Sequence, residues 1–348
     1  VISSRRRIYG DDHEVFRDSV RRFIASEVVP HLDEWRQADG VPRSIVSAAG
    51  EAGFLGTAVP EEFGGGGADD FGFLVVLTEE TVAAGATGLA LLFALQAGVA
   101  IPFLLEHGSS AHKQQWLPGL TTGELIAVPA PATLSGVAAA RMADALLVHN
   151  DGDGVVLTTL DRPGVVVTPI TENLAGRDAG LADVTLGNVG TNTDLIYPTT
   201  FCRDLDLWFA VLALASARTA MALAVDYVRA RKVFGQPLAE FENTRFRLAE
   251  LWAELASLTA FVDSCVQERS AGSLEAADAA AARLTASRVC GQAVDRSLQL
   301  HGGYGYMREY PISHAFADAR FLQVIAAAYS NPRETLASTV ALDALSQQ

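Results

Sequence analysis

The sequence predicts a mainly α-helical protein with a small β module in its middle, and three observations carry that prediction. Apolar residues recur at helical spacing through residues 1–123. Short β-branched runs divided by turn signals replace that pattern over 124–199. Four long, Ala- and Leu-rich amphipathic stretches then fill 200–348, the pattern of a four-helix bundle. A length of 348 residues allows two to three such parts and a sizeable core. Apolar residues make up 49% and charged ones 19%, which argues against disorder. With 26 Lys and Arg against 41 Asp and Glu, the net charge is −15. That balance argues against nucleic acid as a partner and leaves anionic ligands only where a few cations are focused.

In the N-terminal part, Val15, Val20, Phe23, Ile24 and Val28 line one helical face, and Pro30 ends the run. Ile45, Val46, Ala49 and Ala52 repeat the pattern before Gly53. The glycine-rich stretch 60–72 (PEEFGGGGADDFG) lacks the ending of a P-loop and the spacing of a dinucleotide turn, so it reads as a connector between helices. Thr81 to Leu105 carries no charge and is long enough to span a bilayer. Its Gly85, Gly88, Gln96, Gly98 and Pro102, and the lack of basic or aromatic flanks, favour a helix buried in a core, with no membrane span. The N-terminus has basic residues with no apolar stretch behind them and does not read as a signal peptide. Three cysteines, 202, 265 and 290, with no CxxC, indicate neither a disulfide framework nor a zinc site, and fit a reducing, cytoplasmic setting.

The middle module reads as antiparallel, with hairpin turns expected at Asp151-Gly152-Asp153-Gly154 and Arg162-Pro163-Gly164. The C-terminal helices are expected over Asp204 to about Arg231, Leu238 to about Arg269, Leu274 to about Leu300, and Ser313 to Ala344 with a break near Asn331-Pro332. Two elements among them could carry chemistry. Arg231-Lys-Val233-Phe234-Gly235 closes the first long helix, where an Arg fork could meet a phosphate or simply offset the helix dipole. Gln299-Leu-His301-Gly302-Gly303-Tyr304-Gly305-Tyr306 has paired glycines that permit close backbone approach, or is an ordinary interhelical turn.

Together and in order, these motifs resemble the acyl-CoA dehydrogenase family across nearly the whole chain. The N-terminal resemblance rests on Ala52-Gly53-Phe54-Leu55-Gly56, Val59-Pro60-Glu61-Glu62-Phe63-Gly64-Gly65, Gly108-Ser109, Lys113-Gln114, Leu117-Pro118 and Gly123-Glu124. The C-terminal resemblance rests on Arg231, Phe234-Gly235, Gln299, Gly302-Gly303, Gly305-Tyr306 and Asp318-Ala319-Arg320. It implies an α-helical N-domain, a β-barrel-like middle domain, here reduced, and a C-terminal four-helix bundle. It also implies FAD, α,β-desaturation of an acyl-CoA thioester, and an electron-transferring flavoprotein as acceptor. In that chemistry a carboxylate base removes the α-proton while the β-hydride passes to the flavin.

Departures from the family pattern sharpen the reading. Counting from Asp318-Ala319-Arg320, the base position is Ala326. Some members keep the base on the first long C-terminal helix, which here falls near Leu205, flanked by Asp204 and Asp206. The flavin-backing Thr-Glu-Pro and Trp-Ile-Thr/Ser-Asn stretches have no counterpart in 124–199. By resemblance, Arg231, Val233, Phe234, Gln299, Gly302 and Gly303 would contact the FAD held mainly by a neighbouring subunit, while Glu242 stands where the family has Gln. The pattern implies a subunit with no catalytic residue of its own, paired with a catalytic subunit as in the α2β2 dehydrogenases of steroid side-chain degradation. A self-sufficient homomer using Asp206, or less readily Glu334, is a second expectation, and a flavin-free scaffold a third. His301, Cys265 and Cys290 read as packing residues.

Overall fold

A computed structural model describes residues 6–150, 154–187 and 200–346. Its N-terminal helices are α1 (Asp11–Phe23), α2 (Leu32–Gln37), α3 (Arg43–Glu51), α4 (Gly72–Ala83), α5 (Thr87–Leu95), α6 (Ile101–His107) and α7 (Ser110–Thr122). The helical backbone does not stop at Pro30 as expected. A π-turn over Ile24–Val28 and a 3-10 turn over Val29–His31 carry it on into α2. A second π-turn, Gln96–Ala100, lies just ahead of Pro102. Both wide turns precede a residue that cannot donate a backbone N–H, which is how a proline is tolerated inside a helical run.

The uncharged stretch from Thr81 is therefore not one helix. It crosses the end of α4, a turn at Gly85 (φ 84°) and the broken helix Thr87–His107. Among the described residues two helices are long and apolar enough to cross a membrane by composition, Thr87–His107 and Phe201–Ala230, and the fold buries 94% and 72% of their most apolar 18-residue windows. Gly98 makes this packing possible. A Cβ there would lie 2.3 Å from Trp208 Nε1, so the fully buried indole sits directly on the π-turn.

The glycine-rich connector between α3 and α4 folds back on the chain before it. Gly66 N donates to Gly56 O (2.9 Å), Gly67 N to Val59 O (2.8 Å) and Ala68 N to Thr57 O (2.8 Å). Gly64 and Gly65 donate to Glu61 and Pro60 carbonyls. Its amides are spent internally, which removes any phosphate cradle.

The middle strands are β1 (Ala127–Ala130), β2 (Ala145–Asn150), β3 (Gly154–Thr159), β4 (Val165–Pro169) and β5 (Ala182–Leu186). The module is mixed, not antiparallel throughout: β1 pairs β2 in parallel, and β2 pairs β3 antiparallel. Residues 131–144 supply the long crossover that a parallel pair requires. Gly154 faces Asn150, and Asp151–Asp153 of the first expected turn lie outside the described residues. Arg162–Gly164 is a turn but closes no hairpin, because β4 leaves for a second sheet and pairs β5.

The bundle consists of α8 (Phe201–Ala230), α9 (Glu242–Ser270), α10 (Ala276–Leu300) and α11 (Pro311–Tyr329), with α12 (Pro332–Ser346) packed on α10. Helix α8 lies at the centre and packs against α4, α9, α10 and α11. Cys265 and Cys290 are buried, and burial pushes both thiols up to about 12, so they are inert core residues.

A buried carboxyl pair ties the middle module to both helical parts. Asp178 accepts from Gly88 N (2.8 Å) and Leu89 N (3.1 Å) through one oxygen, capping α5 from 90 residues away. Asp318 accepts from Gly176 N (3.1 Å), anchoring the same loop to α11. Burial and the neighbouring Asp318 raise the Asp178 carboxyl to about 6. The folded state therefore holds a proton that the unfolded chain, near 3.8, releases. The stability this proton contributes is lost as pH rises through about 6. Asp178→Asn keeps the accepting oxygen and removes the charge. Relative to wild type, it should be more stabilising at pH 8 than at pH 5 by about 1–3 kcal/mol in urea titrations. An offset that does not change with pH would exclude the shared proton.

Candidate functional site

Residues 231–237 form a small hairpin at the end of α8. Strand β6 (Lys232–Val233) pairs with β7 (Gln236–Pro237), leaving Phe234 and Gly235 as a two-residue loop. Their φ values are 52° and 87°, the positive pair that a type I′ turn needs. Glycine adopts this freely, but a phenylalanine there costs about 1–2 kcal/mol. Phe234 is also 94% exposed, so a strained backbone displays a bare aromatic ring to solvent. Val233 is half-buried beside it.

An aromatic cluster brings the second motif to this hairpin. The His301 ring stacks on Tyr227 at 4.2 Å, Tyr310 lies 6.3 Å from Tyr227, and Tyr304 lies 5.1 Å from Tyr310. His301 is buried with Nδ1 2.8 Å from Ser297 O, and burial lowers its pKa, so it packs rather than exchanging protons. The short 3-10 turn Gly302–Tyr306 is thereby held against the end of α8, with the Arg231 guanidinium 5.3 Å from the Tyr304 ring centre. Among the described residues no carboxylate pairs with Arg231. Gln299 is exposed on the last turn of α10. A Cβ added at Gly302 (φ 57°) or Gly303 would meet nothing within 4 Å, so this backbone is open to a ligand. Gly305 has a different task, since a Cβ there would meet Leu298 O at 2.6 Å. Glu242 opens α9, where its charge complements the helix dipole.

The two candidate base positions meet a different environment. Leu205 on α8 and Ala326 on α11 are both buried. Arg283 of α10, 5% exposed, reaches this region. Its Nη1 lies 2.6 Å from Asp206 Oδ1, it donates to the Ala326 carbonyl oxygen through Nη2, and it also contacts Ser330. Ser330 Oγ donates to the same Asp206 oxygen at 2.5 Å. Asp206 is 2% exposed and held through Oδ1 by both Arg283 and Ser330, so it is a buried ion-pair member and not a free base. Asp204 is held by Arg269 (2.9 and 3.0 Å) and Arg203 (2.9 Å). Glu334 is exposed in the first turn of α12. Arg283 carried no motif signal; its burial on α10 is what obliges the cation to find a partner, which Asp206 supplies.

Comparison with known proteins matches the fold and motifs. The acyl-CoA dehydrogenase N-terminal domain family matches residues 10–124, and the C-terminal domain family matches 207–327. The chain belongs to the acyl-CoA dehydrogenase family. It is 28% identical to the long-chain specific acyl-CoA dehydrogenase, mitochondrial, of Sus scrofa, over 97% of this chain and 88% of that protein. It is 26% identical to the 3-(aryl)acrylate reductase of Clostridium sporogenes, over 91% and 95%. The acyl-CoA dehydrogenase from Geobacillus kaustophilus superposes with a TM-score of 0.86 at 25% identity, covering 96% of this chain and 99% of that one. Butyryl-CoA dehydrogenase from Megasphaera elsdenii gives 0.85 at 19% identity, with coverage of 96% and 99%.

Proposed function

We propose that this chain is a non-catalytic subunit of a heteromeric, FAD-dependent acyl-CoA dehydrogenase, paired with a catalytic chain in an α2β2 assembly. One observation carries the reading. The positions where the family chemistry needs a carboxylate base hold Ala326 and Leu205, with Asp206 locked to Arg283 and Ser330. The Arg231–Phe234 face, in contrast, stays open and unpaired among the described residues.

The residues present suit half of an FAD site. Arg231 is an unneutralised fork suited to a diphosphate, and the bare backbone at Gly302 and Gly303 leaves room for it. Strand β1, by contrast, offers only Ala127, Val128, Pro129 and Ala130, all buried, and no polar side chain for a flavin ring. FAD in the complex supplies the hydride acceptor. This chain's own residues Arg231, Val233, Phe234, Gln299, Gly302 and Gly303 would hold the diphosphate and adenosine end of a partner-bound FAD.

The partner supplies the base and the acyl pocket. By resemblance, the substrate is an acyl-CoA, with a steroid side-chain CoA ester as the class, and the setting is cytoplasmic. By the same resemblance, an electron-transferring flavoprotein is the natural acceptor. Purified alone, the chain should not desaturate acyl-CoA, and turnover should appear only on co-expression with a catalytic partner. Turnover by the chain alone, lost in Asp206→Asn, would instead establish the self-sufficient reading.

A further inference from the structure

A second cleft, away from the Arg231 face, lies between α1, α4, α8 and α9 and has a volume of about 420 Å³. That is within the ~300–1,000 Å³ typical of small-ligand sites. Arg17, Arg21, Arg218, Glu79, Glu80 and Asp226 are the charged residues on its walls. Most of these pair with one another or with close neighbours. Glu80 accepts from Arg17 (2.6 Å) and Arg21 (2.9 Å). Glu79 accepts from Tyr9 Oη (2.8 Å) and pairs with Arg6, which also holds Asp263 at 3.0 Å.

Among the described residues Arg218 and Asp226 form no ion pair, and of the two only Asp226 is exposed. Arg218 is half-buried, and among the described residues its side chain makes one hydrogen bond, a long 3.5 Å contact to Thr259 Oγ1. Thr259 already donates its hydroxyl to Leu255 O at 2.6 Å. Among the described residues no carboxylate lies within ion-pair distance of Arg218. Asp226, also on α8, is eight residues further along, about 12 Å up the helix. Burial, with Arg6 and Arg17 nearby, lowers the pKa of Arg218, and the opposing pull of Tyr9 and Asp263 offsets this only in part. A guanidinium presents five donors in a fork that matches a carboxylate. Apart from Thr219 and Thr259, the remaining wall is apolar and includes Met221, Leu223, Val225, Leu255 and the 40%-exposed Trp252.

We propose that this cleft binds a small monocarboxylate with an apolar body, its carboxylate on Arg218 and its body against Met221, Leu223, Leu255 and Trp252. The assignment does not depend on the FAD-facing role, because no residue is shared between the two sites.

The probe is sodium octanoate, with 1-octanol as its neutral counterpart, titrated calorimetrically into the purified protein both as the free chain and in its complex. Octanoate should bind saturably to both forms and raise the melting temperature, and octanol should bind at least ten-fold more weakly. Arg218→Met should weaken octanoate at least ten-fold while raising the melting temperature of the ligand-free protein, since it removes an uncompensated cation. Should that variant fail to fold, Arg218→Lys, which keeps the charge and loses the fork, should weaken binding several-fold. Unchanged octanoate affinity in either variant, equal binding of octanol, or no saturable binding would overturn the proposal. Binding to the free chain but not to the complex would place a partner's side chain in the cleft, and would overturn the small-molecule assignment.

Discussion

Arg283→Met should destabilise the protein by about 3–5 kcal/mol, the cost of leaving one member of a buried ion pair uncompensated. Arg283 and Asp206 are 5% and 2% exposed, so water cannot replace the lost partner. The guanidinium also satisfies the Ala326 carbonyl and contacts Ser330, so one side chain links α8, α10 and the α11–α12 junction. Ser330 alone would remain on Asp206. Pairing the change with Asp206→Leu should recover most of the loss, because an apolar replacement of both charges removes the desolvation cost as well. Urea titrations of the two variants read this directly. A single variant within about 1 kcal/mol of wild type would show that the pair is not the tie described here.

Arg231→Ala should lower flavin retention by the heteromeric complex about 10- to 100-fold, the scale of one charge-assisted hydrogen bond at ~1.5–3 kcal/mol. Folding of this chain should be unaffected, since the Arg231 side chain is exposed and, among the described residues, forms no ion pair and only rests over the Tyr304 ring near Tyr227. Phe234→Gly separates the two roles further. Relief of the φ 52° strain should leave the free chain as stable or up to about 1 kcal/mol more stable, yet loss of the exposed ring should weaken the complex. Flavin absorbance after gel filtration, beside thermal unfolding of the free chain, measures both effects. Flavin retention unchanged in Arg231→Ala would remove this residue from the cofactor-facing surface.

The long helices were legible because their apolar spacing is local information. Helices α8, α10 and α11 begin and end close to the positions that spacing and Asn331-Pro332 predict. The β module was less so. Its strands are readable, but whether neighbours run parallel depends on the crossover through residues 131–144, which carries no periodic signal. Pro30 reads as a break, whereas a π-turn absorbs it, and a second π-turn precedes Pro102 in the same way. The Arg231 and Gly302 motifs could be read individually, but their juxtaposition required the Tyr227–His301–Tyr310–Tyr304 cluster. Asp178, Arg218 and Arg283 were missed for the same reason: a charge's partner, or lack of one, is decided by residues far away in the chain.

The composition of the purified complex tests most directly where the flavin and the base reside. Mass spectrometry together with flavin absorbance on the intact assembly should give one FAD for every two chains, the two differing in mass. One FAD per copy of this chain in a homomer that desaturates acyl-CoA would contradict the account.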